Sequence, residues 1–98
     1  MDKFSINIYN NLPERQKAAF NIALSHKLSL FVNEIKVDDD LGPLLLEEFF
    51  SKPVDNATSV VSELYSKITT GIQVGSGNQN LFLGLLNAFV AAWSETIK

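Results

Sequence analysis

From Leu81 to Trp93 the chain runs through thirteen residues without a charge, and Asn87 is the only polar side chain among them. A helix that is apolar all round has to be covered on every side, by its own domain or by a partner. The stretch therefore acts as a spine to which the other segments must supply complementary apolar surface. It is too short to span a bilayer, which takes ~20 apolar residues. The expectation is a central core helix.

Ninety-eight residues make one domain, taken as 1–98, with no room for a second core. No cysteine is present, so neither a disulfide framework nor thiolate chemistry is available. The first residues lack the basic-then-apolar order of a secretory signal, and a cytoplasmic address is expected. Charge is uneven. Between Glu34 and Glu48 lie six acids (Glu34, Asp38, Asp39, Asp40, Glu47, Glu48) against one base, Lys36, a local balance of −5. The remainder carries +2, which accounts for the chain's −3. A concentrated negative segment repels phosphate backbones and favours basic proteins, so nucleic acid is excluded as a partner.

Along the chain, Phe4, Ile8 and Leu12 share a helical face, and a short helix or an extended arm packed on a bundle is expected there. The first long helix is marked by Asn11 as a cap, Pro13 in the first turn and Glu14 in a capping-box-like position. Its apolar stripe is Phe20, Leu24, Leu28, Phe31 and Ile35. A second, weaker face carries Ala19, Ile22, Ala23, His26 and Leu30, which suits a helix packed on two sides or one with a face left for a partner. The acidic turn Asp38-Asp39-Asp40-Leu41-Gly42 breaks it, and Pro43 restarts the chain as a short apolar helix through Leu44, Leu45, Leu46, Phe49 and Phe50. Pro53 and Asp55 open the next helix, with Ala57, Val60, Val61, Leu64 and Ile68 facing inward, a Glu63–Lys67 pair outside and Gly71 as its C-terminal cap. A flexible glycine-containing loop, about 71–80, leads into the spine. The sum is an all-α fold: a small irregular or orthogonal bundle of four to five helices around a hydrophobic C-terminal helix.

No pattern of catalysis or cofactor binding stands up. The aspartate run fails the EF-hand spacing, because the positions that need an acid at 5 and a glutamate at 12 hold Gly42 and Phe49. His26 is the only histidine and cannot build a multi-histidine metal site; with Ile22 and Leu30 at i±4 it reads as a partly buried packing residue. Gly75-Ser76-Gly77-Asn78 lacks the lysine of a phosphate-binding loop. No catalytic residue, metal or cofactor is expected, and the chain reads as a non-enzyme. Gly84, Ala88 and Ala91 would let another helix approach closely, inside the bundle or across a homodimer seam in which Asn87 fixes register.

Two segments carry a family resemblance. Glu14-Arg15-Gln16-Lys17-Ala18-Ala19-Phe20, and Val54-Asp55-Asn56-Ala57 through Ser62-Glu63-Leu64, resemble parts of the YjaG-type family of all-helical bacterial proteins, which are about twice this length. Together they cover less than a third of the chain. The family tends to carry an acid–arginine pair in its first helix, where this chain has Ser25-His26-Lys27. The resemblance implies an all-helical bacterial fold; it carries no implication about activity, because the family has none assigned.

Small size, a helical fold, absent catalytic groups and one dense acidic segment together point to an interaction protein. Within that class, the expectation is an immunity or antitoxin-type inhibitor that covers the basic cleft of a partner such as a toxin nuclease. Glu34, Asp38, Asp39, Asp40, Glu47 and Glu48 are the expected contacts, with an exposed aromatic, Phe49 or Phe50, as anchor. The alternatives are a structural or regulatory homo-oligomer assembled through apolar helix faces, and a phage-type inhibitor of host defence.

Overall fold

A computed structural model describes residues 4–37, 41–51, 57–75 and 79–97. Its elements are α1 (Ile6–Asn10), α2 (Glu14–Leu28), a 3-10 turn (Ser29–Phe31), α3 (Val32–Ile35), α4 (Leu41–Pro43), a π-helical segment (Leu44–Phe49), α5 (Ala57–Gln73) and α6 (Gln79–Thr96). There is no strand among the described residues. Since α2 runs through the 3-10 turn into α3, and α4 into the π segment, five helical units build the fold. The expected all-α bundle is therefore present, with a radius of gyration of 12.4 Å.

The spine α6 packs against α2 and α5. It buries Leu81, Phe82, Leu85, Ala88, Phe89, Ala92 and Trp93, but leaves Leu83 and Asn87 exposed. It is thus covered on most sides rather than all round. Asn87 points to solvent and makes no buried register bond. Gly84 and Ala88 serve the interior: a Cβ at Gly84 would come within 2.8 Å of the Phe31 ring, and Ala88 is buried.

The predicted stripe on the first helix holds in the structure. Phe20, Leu24, Leu28 and Ile35 are fully buried, and Phe31 is half-buried against the core. The helix start differs from expectation. Asn11 closes α1, its Nδ2 donating to the Asn7 carbonyl at 2.9 Å. The α2 turns begin instead on the Pro13 carbonyl, which accepts from the Gln16 and Lys17 amides at 3.0 Å each. Asn11 lies two residues upstream of the capping position, too far to reach the orphan amides of α2. The N-terminal segment is indeed a short helix. Ser5 caps it, and Phe4 ahead of it inserts between Phe20, Tyr65, Phe89 and Trp93 at ring separations of 4.9–5.3 Å.

Two further corrections concern the second half. Gly71 lies inside α5 rather than at its end, because a Cβ there would collide with the Phe82 ring. The helix instead stops at Gln73, and Gly75 takes the left-handed φ of +64° that ends such helices. The inward face of Val60, Val61, Leu64 and Ile68 is buried as expected. Glu63 and Lys67 make no ion pair among the described residues. Pro53 and Asp55, the expected openers of α5, lie outside the described residues.

Candidate partner-binding surface

The α4–π unit is positioned by Gly42. A Cβ at this residue would collide with the Ile35 carbonyl oxygen, so only glycine lets the backbone of α4 close against the end of α3. Leu41, Leu45 and Phe49 then follow at steps of four and are all buried. The Phe50 amide donates to the Leu45 carbonyl at 2.7 Å, the five-residue reach of a π turn. Five apolar side chains crowded into seven residues cannot all face one way. Leu44, Leu46 and Phe50 are left half-buried at the surface.

This corrects the expected anchor. Phe49 is only 1% exposed and belongs to the core, so it cannot serve as an accessible contact. Its neighbour Phe50, whose ring stands edge-on to it at 6.1 Å, is the aromatic that reaches the surface.

Of the expected acidic contacts, Asp38, Asp39 and Asp40 lie outside the described residues. Glu34 on α3 and Glu47 and Glu48 on the π segment are exposed, and none of the three makes an ion pair among the described residues. The Gly42–Ile35 approach draws together the two units that carry these carboxylates. No group of three or more His, Asp and Glu side chains able to hold a metal ion occurs among the described residues.

Sequence reasoning located the outer face of α2 but misjudged its histidine. Ile22 is 50% and Leu30 81% exposed, and Ala19 and His26 between and before them are exposed as well. His26 is therefore a surface residue, not a packing one. It borders an open cleft of about 290 Å³ whose other walls are Ile22, Ser25, Ser29 and, from the π segment, Phe50. The Ser29 hydroxyl donates to the His26 carbonyl at 2.6 Å. The imidazole makes no hydrogen bond to a serine or a carboxylate among the described residues, so no nucleophile–base pair is assembled. The cleft joins segments more than twenty positions apart. Only the i, i+4, i+8 spacing of Ile22, His26 and Leu30 hinted at it in the sequence.

Lys27 of α2 pairs with Glu95 of α6 at 2.5 Å, which spends the cation nearest the cleft in sequence. Among the described residues no helix is long and apolar enough to cross a membrane. Comparison with protein-family models, curated proteins and solved structures finds no match.

Proposed function

We propose that this chain is a non-enzymatic, cytoplasmic protein-binding protein, an inhibitor of the immunity or antitoxin kind that covers the basic cleft of a partner such as a toxin nuclease. The supporting observation is the set of exposed carboxylates, Glu34, Glu47 and Glu48, none neutralised by an ion pair among the described residues. The three aspartates of the connecting stretch 38–40 add to the same negative segment of chain. Carboxylates left unpaired at a surface cost little in water and raise the encounter rate with a cationic cleft. Phosphate-binding clefts are cationic by necessity, and acids seated in one compete directly with the nucleic acid.

The test uses the product of the gene adjacent to this one. Its binding and any nuclease activity are measured against the wild-type chain and against Glu34→Gln/Glu47→Gln/Glu48→Gln at low and near-physiological salt. The expected result is inhibition by the wild type and an association rate that falls with salt. The triple variant should associate about tenfold more slowly and with a flatter salt dependence. Identical salt dependence of the two proteins overturns the reading.

A further inference from the structure

We propose that the cleft between α2 and the π-helical segment is an anchor pocket, and that it takes one apolar side chain from a cationic amphipathic helix of the partner. The inference rests on the reading of a basic partner and adds where and how that partner is held. Shape sets the occupant first. Small-molecule sites enclose most of their ligand in concave surroundings, whereas this cleft of about 290 Å³ lies open to solvent. An open cleft suits a side chain presented from a partner's surface better than a ligand that must be enclosed.

The lining sets its chemistry. Ile22 and Phe50 form apolar walls, and Ser25, Ser29 and His26 supply a polar margin. The exposed strip continues past the cleft to Leu30. Eight residues separate Ile22 from Leu30, about 12 Å at helical rise, which matches two turns of a docked helix with anchors at i, i+4 and i+7.

Charge decides between a foreign helix and a second copy of this chain. Glu34 follows Leu30 by four residues, and Glu47 and Glu48 precede Phe50 on the other wall. Lys36 is the one exposed base of this segment, and Lys27 is taken by Glu95. A two-fold pairing through this face would set the same carboxylates against one another. A helix bearing lysine or arginine beside its apolar anchors meets them with opposite charge.

The probe is a fluorescent Lys/Leu peptide with leucines at helical i, i+3, i+4, i+7 spacing, alongside a peptide of the same composition in scrambled order. Both are titrated into the full chain, into Ile22→Glu, into Leu30→Glu and into Glu34→Gln/Glu47→Gln/Glu48→Gln. Ile22 and Leu30 are exposed, so unchanged melting curves will certify both variants as folded. The ordered peptide should bind at least tenfold tighter than the scrambled one, and Ile22→Glu should remove that advantage. Equal binding of both peptides, lost in the triple glutamine variant but not in Ile22→Glu, overturns the anchor pocket and leaves the acidic reading intact. Full binding by the triple variant with loss in Ile22→Glu retains the pocket and removes the acidic reading. Failure of the ordered peptide to bind overturns the pocket. A concentration-dependent dimer that Leu30→Glu dissociates does so too, since a second copy is then the occupant.

Discussion

The Tyr9 hydroxyl donates to Asn21 Oδ1 at 2.9 Å, and both side chains are completely buried. The bond ties the short α1 to the middle of α2, across twelve residues of sequence. Among the described residues Asn21 is the one buried polar residue besides Tyr9, and its Nδ2 finds no partner there. Removing the hydroxyl strands the amide oxygen as well. Tyr9→Phe is therefore expected to cost about 1–3 kcal/mol, most of it the desolvation of Asn21. Replacing both partners leaves nothing polar to desolvate, so Tyr9→Phe/Asn21→Leu should be more stable than Tyr9→Phe alone. Urea denaturation of Tyr9→Phe, Asn21→Leu and the double variant checks the cycle, and strict additivity of the two single costs would refute the coupling.

The same burial gives the fold an alkaline weakness. Desolvation pushes the Tyr9 phenol above its ordinary value of 10.0, and nearby Glu14 adds to the rise. In the unfolded chain the phenol ionises first, so above about pH 10 the native state holds the proton that the unfolded state has released. Stability from this group is intact below the unfolded value and falls as pH rises toward the folded one. Thermal melts between pH 8 and 11 should show a decline in the wild type that is shallower in Tyr9→Phe.

Gly42 and Gly75 should respond differently to alanine. A methyl group at Gly42 meets the backbone carbonyl of Ile35, which cannot rotate away. Gly42→Ala is expected to cost at least about 2–3 kcal/mol, in the upper range for overpacking, and to displace the α4–π unit. At Gly75 there is open space, and only the φ of +64° is unfavourable. Gly75→Ala should cost about 1 kcal/mol. Equal midpoint shifts in chemical denaturation would contradict this ordering.

What could be read in advance follows how local the physics is. The stripe Phe20, Leu24, Leu28, Ile35 is written in helical spacing, and so is the spine; both are buried. Capping was less legible, because Asn11 can serve the end of one helix or the start of the next. The geometry chose α1. Gly71 looked like a stop signal on composition, yet a close approach to Phe82 explains it. The buried Tyr9–Asn21 bond had no signature, since an asparagine in mid-helix normally faces water. For the site, exposure of Glu34, Glu47 and Glu48 followed from charge alone. The choice between Phe49 and Phe50 lay in the spacing of four that joins Leu41, Leu45 and Phe49, a signal masked by Leu44, Leu46 and Phe50 in the same short run.

That choice supplies a direct test of the binding surface. Phe49 sits in the core at 1% exposure, and Phe49→Ala should cost about 3–5 kcal/mol, a large share of the ~5–15 kcal/mol that a domain has in total. Phe50 is half-buried on the cleft wall, and Phe50→Ala should cost less than half as much. Binding should order the pair the other way. At a temperature where both variants are folded, Phe50→Ala should weaken a partner that inserts into the cleft about tenfold or more, as truncation of an aromatic contact in an interface commonly does. Phe49→Ala should leave that affinity near the wild-type value, because its ring touches no partner. Calorimetric titration beside denaturation curves separates the two effects. A Phe50→Ala variant with undiminished affinity would place the partner elsewhere on the surface.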